Sequence, residues 1–234
     1  MDTNTAYIVN PAEDSARALK RAGLWDLALE LPGTVSTALR AEILTDRFWW
    51  RLEESATAEA AVAALLEEED PLLAGFYDAQ LAYTRTVFGI DSRPEDPQRA
   101  RAGCAAATGD ERLAGWASFW LGAVGEHVDH SPQQATGHFN RALDVALDDK
   151  DPMLESYAIR HLGGQALDNG DATGLDLLRR SYHLRAALGA RPQTAAAAAT
   201  LAASLPPGGD ADQLKKIAAE TARELRLTWL IKAL

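Results

Sequence analysis

A single cysteine, Cys104, among 234 residues rules out an internal disulfide and any zinc site built on cysteines, and it fits a reducing compartment. Basic side chains are in the minority, 23 against 34 acidic, for a formal charge of −11. That balance opposes the phosphate attraction behind most non-specific nucleic-acid binding. No nucleic-acid partner is therefore expected, and Arg179, Arg180 and Arg185 read as a solvated helix face. Nowhere do eighteen uncharged apolar residues follow one another, and no basic stretch leads into an apolar run at the start. No membrane span or export signal is expected, and the protein reads as soluble and cytoplasmic. Glycine-rich phosphate loops, a serine elbow and a metalloprotease histidine pair are missing, and nothing calls for a cofactor. Segments that alternate apolar and polar residues between turn signals are missing too, and β-branched residues are sparse, which leaves an all-α fold.

What is present is enough apolar material for a packed core, 47 % of the chain, and a recurring device for starting helices. Asn10-Pro11, Asp70-Pro71, Asp96-Pro97, Ser131-Pro132 and Asp151-Pro152 each place a short polar residue before proline. The polar side chain can cap exposed amides, and proline at the first helical position forfeits no intrahelical bond. Pro32-Gly33 should break the chain after a short second helix, and Gly109-Asp110 pairs a stop with a start. Phe48, Trp49 and Trp50 stand consecutively on a helix from about Ser36 to Glu53. Neighbours on a helix point about 100° apart, so this helix must be covered on more than one side, by core or by a ligand wall. A closing helix from about Ala211 should place Leu214, Ile217, Ala218, Ala222, Leu225 and Trp229 inward.

The organising signal is a repeat. Trp116, Trp120, Leu121 and Gly122 return forty-one positions later as Tyr157, His161, Leu162 and Gly163. Each set precedes a second helix, and Ala100, Cys104 and Ala107 match Ala135, Phe139 and Ala142 at an offset of 35. Phe88-Gly89 and Leu201-Ala202 extend the series. The chain thus resembles the tetratricopeptide repeat superfamily over roughly residues 71–234, with residues 1–70 as degenerate or capping helix pairs of the same array. The third second-helix, with Gly174, Leu178 and Ser181, departs from the pattern. The resemblance implies antiparallel helix pairs stacked in a right-handed superhelix, with the first helices lining its concave surface.

Counting from Leu121 and Leu162, that surface takes Trp116, Phe119, Ala123, Glu126 and His127 from one helix and Tyr157, Arg160, Gly164, Leu167 and Asp168 from the next, with Tyr83 and Thr86 from the helix before. Aromatic faces, a forked cation at Arg160 and carboxylates at Glu126 and Asp168 suit a peptide, a partner protein or a small organic ligand. An alternative is a small-molecule enzyme in which the array closes into a pocket and His127 or His161 exchanges protons with Glu126 or Asp168. His127 and His130, one turn apart, could also share a metal with His161 or His183, although histidines at a helix C-terminus often simply face solvent beside the helix dipole; no metal is assigned. The apolar ends of the array are either capped or available for a homodimer.

Overall fold

A computed structural model describes residues 11–31, 35–68 and 70–234, so Asn10, Pro32-Gly33 and their expected roles lie outside the described residues. Within them the chain forms thirteen helices and no strand. These are α1 (Pro11–Arg21), α2 (Trp25–Glu30), α3 (Thr37–Arg51), α4 (Ser55–Glu67), α5 (Pro71–Phe88), α6 (Asp96–Ala107), α7 (Ala114–His127), α8 (Pro132–Asp148), α9 (Pro152–Asp168), α10 (Gly174–Ala187), α11 (Arg191–Ser204), α12 (Gly209–Leu225) and α13 (Thr228–Ala233). From α3 onward they pack as successive pairs, each second helix resting on the first helix of the next pair. Among the described residues no helix is long and apolar enough to cross a membrane.

The proline devices start helices, with different capping chemistry at each. Asp70 accepts from the Leu73 amide at 3.1 Å, and Asp151 accepts from Met153 and Leu154 at 2.9 and 3.0 Å. Ser131 makes no side-chain cap. Asp96 is not a cap: it is fully buried, with its carboxylate on the equally buried Arg85 guanidinium at 2.6 and 2.9 Å and on the Arg93 amide at 2.9 Å.

Small residues set the spacing within pairs. A Cβ on Gly122 would lie 2.5 Å from the Phe139 ring, and one on Gly163 would meet the Gly174 carbonyl oxygen at 2.9 Å. Gly89, by contrast, is no counterpart of these. It ends α5 in the left-handed region at φ 64°, and close approach of α5 to α6 comes instead from Gly75, Ala79 and Gly103. The expected continuous last helix is also broken: Arg226 turns left-handed at φ 58° and the Leu227 amide bonds back to the Ala222 carbonyl, which puts Trp229 on the separate α13.

The three aromatics of α3 divide as their angular spacing requires. Phe48 packs with Ala58, Val62, Leu65 and Leu81, Trp50 joins Trp25, Leu225 and Leu230, and Trp49 lies against the Trp50 cluster and a further one around Tyr83 and Ala123. The cluster around Trp50 joins the two ends of the chain, since Ala16, Trp25, Leu39 and Ile43 share it with Ala195, Ala196, Ala222, Leu227 and Leu230. Arg51 Nε donates to the Leu225 carbonyl at 3.3 Å across 174 residues of sequence. The array therefore turns back on itself, and its first and last elements cover each other.

Candidate functional site

Closure leaves a cavity of about 260 Å³ among the five first helices. From α3 it receives Thr45, Asp46, Trp49 and Trp50; from α5 Gln80, Tyr83, Thr84, Val87 and Phe88; from α7 Phe119, Trp120, Ala123 and His127; from α9 Tyr157, Arg160 and His161; and from α11 Ala196. Arg185 of α10 and Trp229 of α13 complete the wall. Trp49 is the hub of its aromatic lining, with ring centroids 5.7 Å from Tyr83, 5.9 Å from Trp120, 5.3 Å from Phe88 and 6.1 Å from Trp229. A second chamber of about 470 Å³ lies on the other side of Asp46, Gln80, Trp120 and Tyr157, which line both. Its own wall includes Trp116, Tyr77, Arg112, Gln193 and the Lys20–Glu42 ion pair at 2.7 Å.

Of the residues expected on the inner surface, Tyr83, Phe119, His127, Tyr157 and Arg160 meet at the first cavity together with His161. Trp116 belongs to the second chamber, where its indole N–H donates to Asp151 at 3.2 Å. Glu126 stands behind the cavity wall, and Asp168 is exposed at the end of α9, lining neither space. Among the described residues no group of three or more histidine, cysteine or acidic side chains is placed to hold a metal ion. His130 lies past the end of α7, exposed, at φ 52°.

The polar side of the cavity is a chain of contacts crossing four helices. The Tyr83 hydroxyl, kept protonated by burial, lies 2.8 Å from His127 Nδ1, which is also 3.1 Å from the Ala123 carbonyl oxygen, and His127 Nε2 lies 3.8 Å from Glu126. His161 Nδ1 donates to the same Glu126 oxygen at 2.6 Å, while Gln165 donates to the other at 3.2 Å. Phe139 stacks on the His161 ring at 4.5 Å and 19°. Burial holds the His161 imidazole down to about 4, against the raising effect of its Glu126 bond. Burial would raise the Glu126 carboxyl, but the hydrogen bond from His161, with smaller contributions from charge and Gln165, outweighs it and holds it down to about 2. The remaining His161 nitrogen faces Arg160 Nη1 at 3.4 Å, and Arg160 Nη2 donates to Thr200 at 3.1 Å.

Arg160 and Arg185 carry the unusual electrostatics. Neither forms an ion pair among the described residues. Burial lowers the Arg160 pKa and pushes the Arg185 guanidinium down to about 9. Arg185, expected on a solvated face, is 2 % exposed because it reaches inward over the Tyr157 ring at 4.5 Å to the backbone carbonyls of Ser156 and Gln193. Its donors are met by neutral acceptors. Arg160 Nε is not: it is buried without a partner among the described residues, as are Thr45 Oγ1 and Trp229 Nε1 on the same wall. A buried donor without an acceptor is costly, and natural interiors seldom leave several beside one cavity.

Asp46, Trp49, Arg185 and Trp229 have no place in the repeat signature, so counting from Leu121 and Leu162 does not reach them. The run Phe48-Trp49-Trp50 was the available signal for the α3 wall, since three large rings at 100° steps cannot all serve one core. No protein-family model matches the chain, and no curated protein matches it.

Proposed function

We propose that this protein binds a small organic molecule inside the closed helical array, in the cavity between Trp49, Tyr83, Trp120, Arg160 and Trp229. The observation that carries this reading is the set of buried polar atoms without a partner among the described residues, Arg160 Nε, Thr45 Oγ1 and Trp229 Nε1, all on residues that line one aromatic-walled space. Ligand sites combine apolar walls with a few convergent polar groups, typically in volumes of about 300–1,000 Å³. At about 260 Å³ this cavity suits a compact molecule better than the peptide or protein segment that an open groove would hold. The likeness to tetratricopeptide repeats supports a binding role as such, with the concave face turned into an interior by closure, and the lone buried cysteine accords with a cytoplasmic setting.

The Glu126–His161 pair at 2.6 Å favours a second reading, an enzyme using His161 as a base. Its free nitrogen already faces a guanidinium 3.4 Å away, however, which weakens it as a proton acceptor. The pair is better suited to orienting Arg160.

A thermal-unfolding screen of small organic compounds tests the binding reading. Aromatic compounds should raise the melting temperature of the wild-type protein and leave Val87→Trp, which fills the cavity from a half-buried position, unmoved. Hits that stabilise both proteins equally, or a screen without hits, would overturn it.

A further inference from the structure

The charge and donor pattern of the cavity narrows what it holds. The protein is acidic overall, at −11, yet the half-buried Arg160 and the buried Arg185 on this wall form no ion pair among the described residues. A cation out of water is unfavourable unless it is paired. Among the described residues Arg160 Nε lacks an acceptor, and so does the indole N–H of Trp229, while the Asp46 carboxylate on the same wall is engaged by the Trp25 indole at 2.7 Å. The remaining wall is aromatic, with Trp49, Tyr83 and Trp120 within 6 Å of one another and suited to a flat ring system.

We propose that the occupant is an aromatic carboxylate, its ring against Trp49 and Trp120 and its acid group on Arg160. This rests on the cavity being the binding site. The Arg160 guanidinium and the Trp229 indole N–H can each meet one oxygen of a carboxylate, and the smaller anion suits a cavity of about 260 Å³. The bond from His161 Nδ1 to Glu126 leaves the other imidazole nitrogen as an acceptor facing Arg160, and Thr200 holds Nη2. Together they fix the guanidinium plane at the cavity wall. His161 and Glu126 are positioning residues in this arrangement.

Isothermal titration of the full chain with 2-naphthoate, 2-naphthamide, cyclohexanecarboxylate and 2-naphthyl phosphate tests the assignment. A charge-assisted hydrogen bond in a desolvated site should make naphthoate bind at least about tenfold more tightly than the amide. It should also exceed the saturated acid and the phosphate. Arg160→Met should abolish the difference between naphthoate and naphthamide while leaving naphthamide binding in place. The wild-type comparison decides the matter even if that variant does not fold. Equal binding of acid and amide would overturn the carboxylate assignment while sparing the cavity as a site, and tighter binding of the phosphate would overturn the choice of anion. Failure of all four probes to bind would count against both the assignment and the site.

Discussion

His161 sits between a carboxylate on one nitrogen and a guanidinium on the other, and its protonation state is tied to folding. The unfolded chain takes up a proton near the ordinary imidazole value of 6.5, whereas the folded protein resists until about 4. Between these values the unfolded state binds more protons, so stability falls as pH falls. Glu126 adds a second, more acidic window: its contribution is full above its ordinary 4.5 and is lost as pH drops towards 2. His161→Gln keeps an amide donor for Glu126 and removes the titration, so its urea-unfolding free energy should decline less than that of the wild type between pH 6.5 and 4. Parallel curves over that interval would refute the buried neutral histidine. At this scale the sequence was partly readable. Phe119, Tyr157 and Arg160 share a face by counting from repeated leucines, but Arg185 sits in a run of arginines that looks solvated, and only its path over Tyr157 reveals the burial.

The helices themselves were readable because their ends are chemically marked. Asp70-Pro71 and Asp151-Pro152 start helices by capping, and the left-handed glycines Gly89 and Gly189 follow helix ends. Packing between helices was readable where a small residue faces a large one, as Gly122 faces Phe139. Gly122→Ala would place a methyl group 2.5 Å from that ring and should cost about 1–3 kcal/mol by overpacking. Chemical denaturation measures this, and a loss well below that range would mean that α7 and α8 can separate freely. The sequence was silent where one residue type serves two ends. Asp96 has the profile of a cap, yet it is consumed by Arg85, and the break after Leu225 falls on an arginine, a residue with no preference for the left-handed region. The split of the last helix matters to the site, because α13 carries Trp229 to the cavity.

Closure is the property of the whole molecule that gives the site its character. An open array would leave Trp49, Trp120 and Tyr157 on a groove; here α13 and the first helices meet through Trp50 and Trp229, stacked at 5.5 Å, and partly cover them. Closure was not readable in the repeat, which concerns only adjacent pairs. The contact of Arg51 with Leu225 spans 174 residues, and no local pattern encodes such a pairing. The expectation of apolar array ends was the nearest sign, and intramolecularly each end covers the other. The consequence is that an occupant should be held inside the molecule and not along its surface. A crystal structure of the full chain grown with saturating 2-naphthoate tests this most directly. The account predicts the bicyclic ring against Trp49 and Trp120 with its carboxylate within hydrogen-bond reach of the Arg160 guanidinium; naphthoate seated only on the outer surface or in the second chamber, with the inner cavity unoccupied, would contradict it.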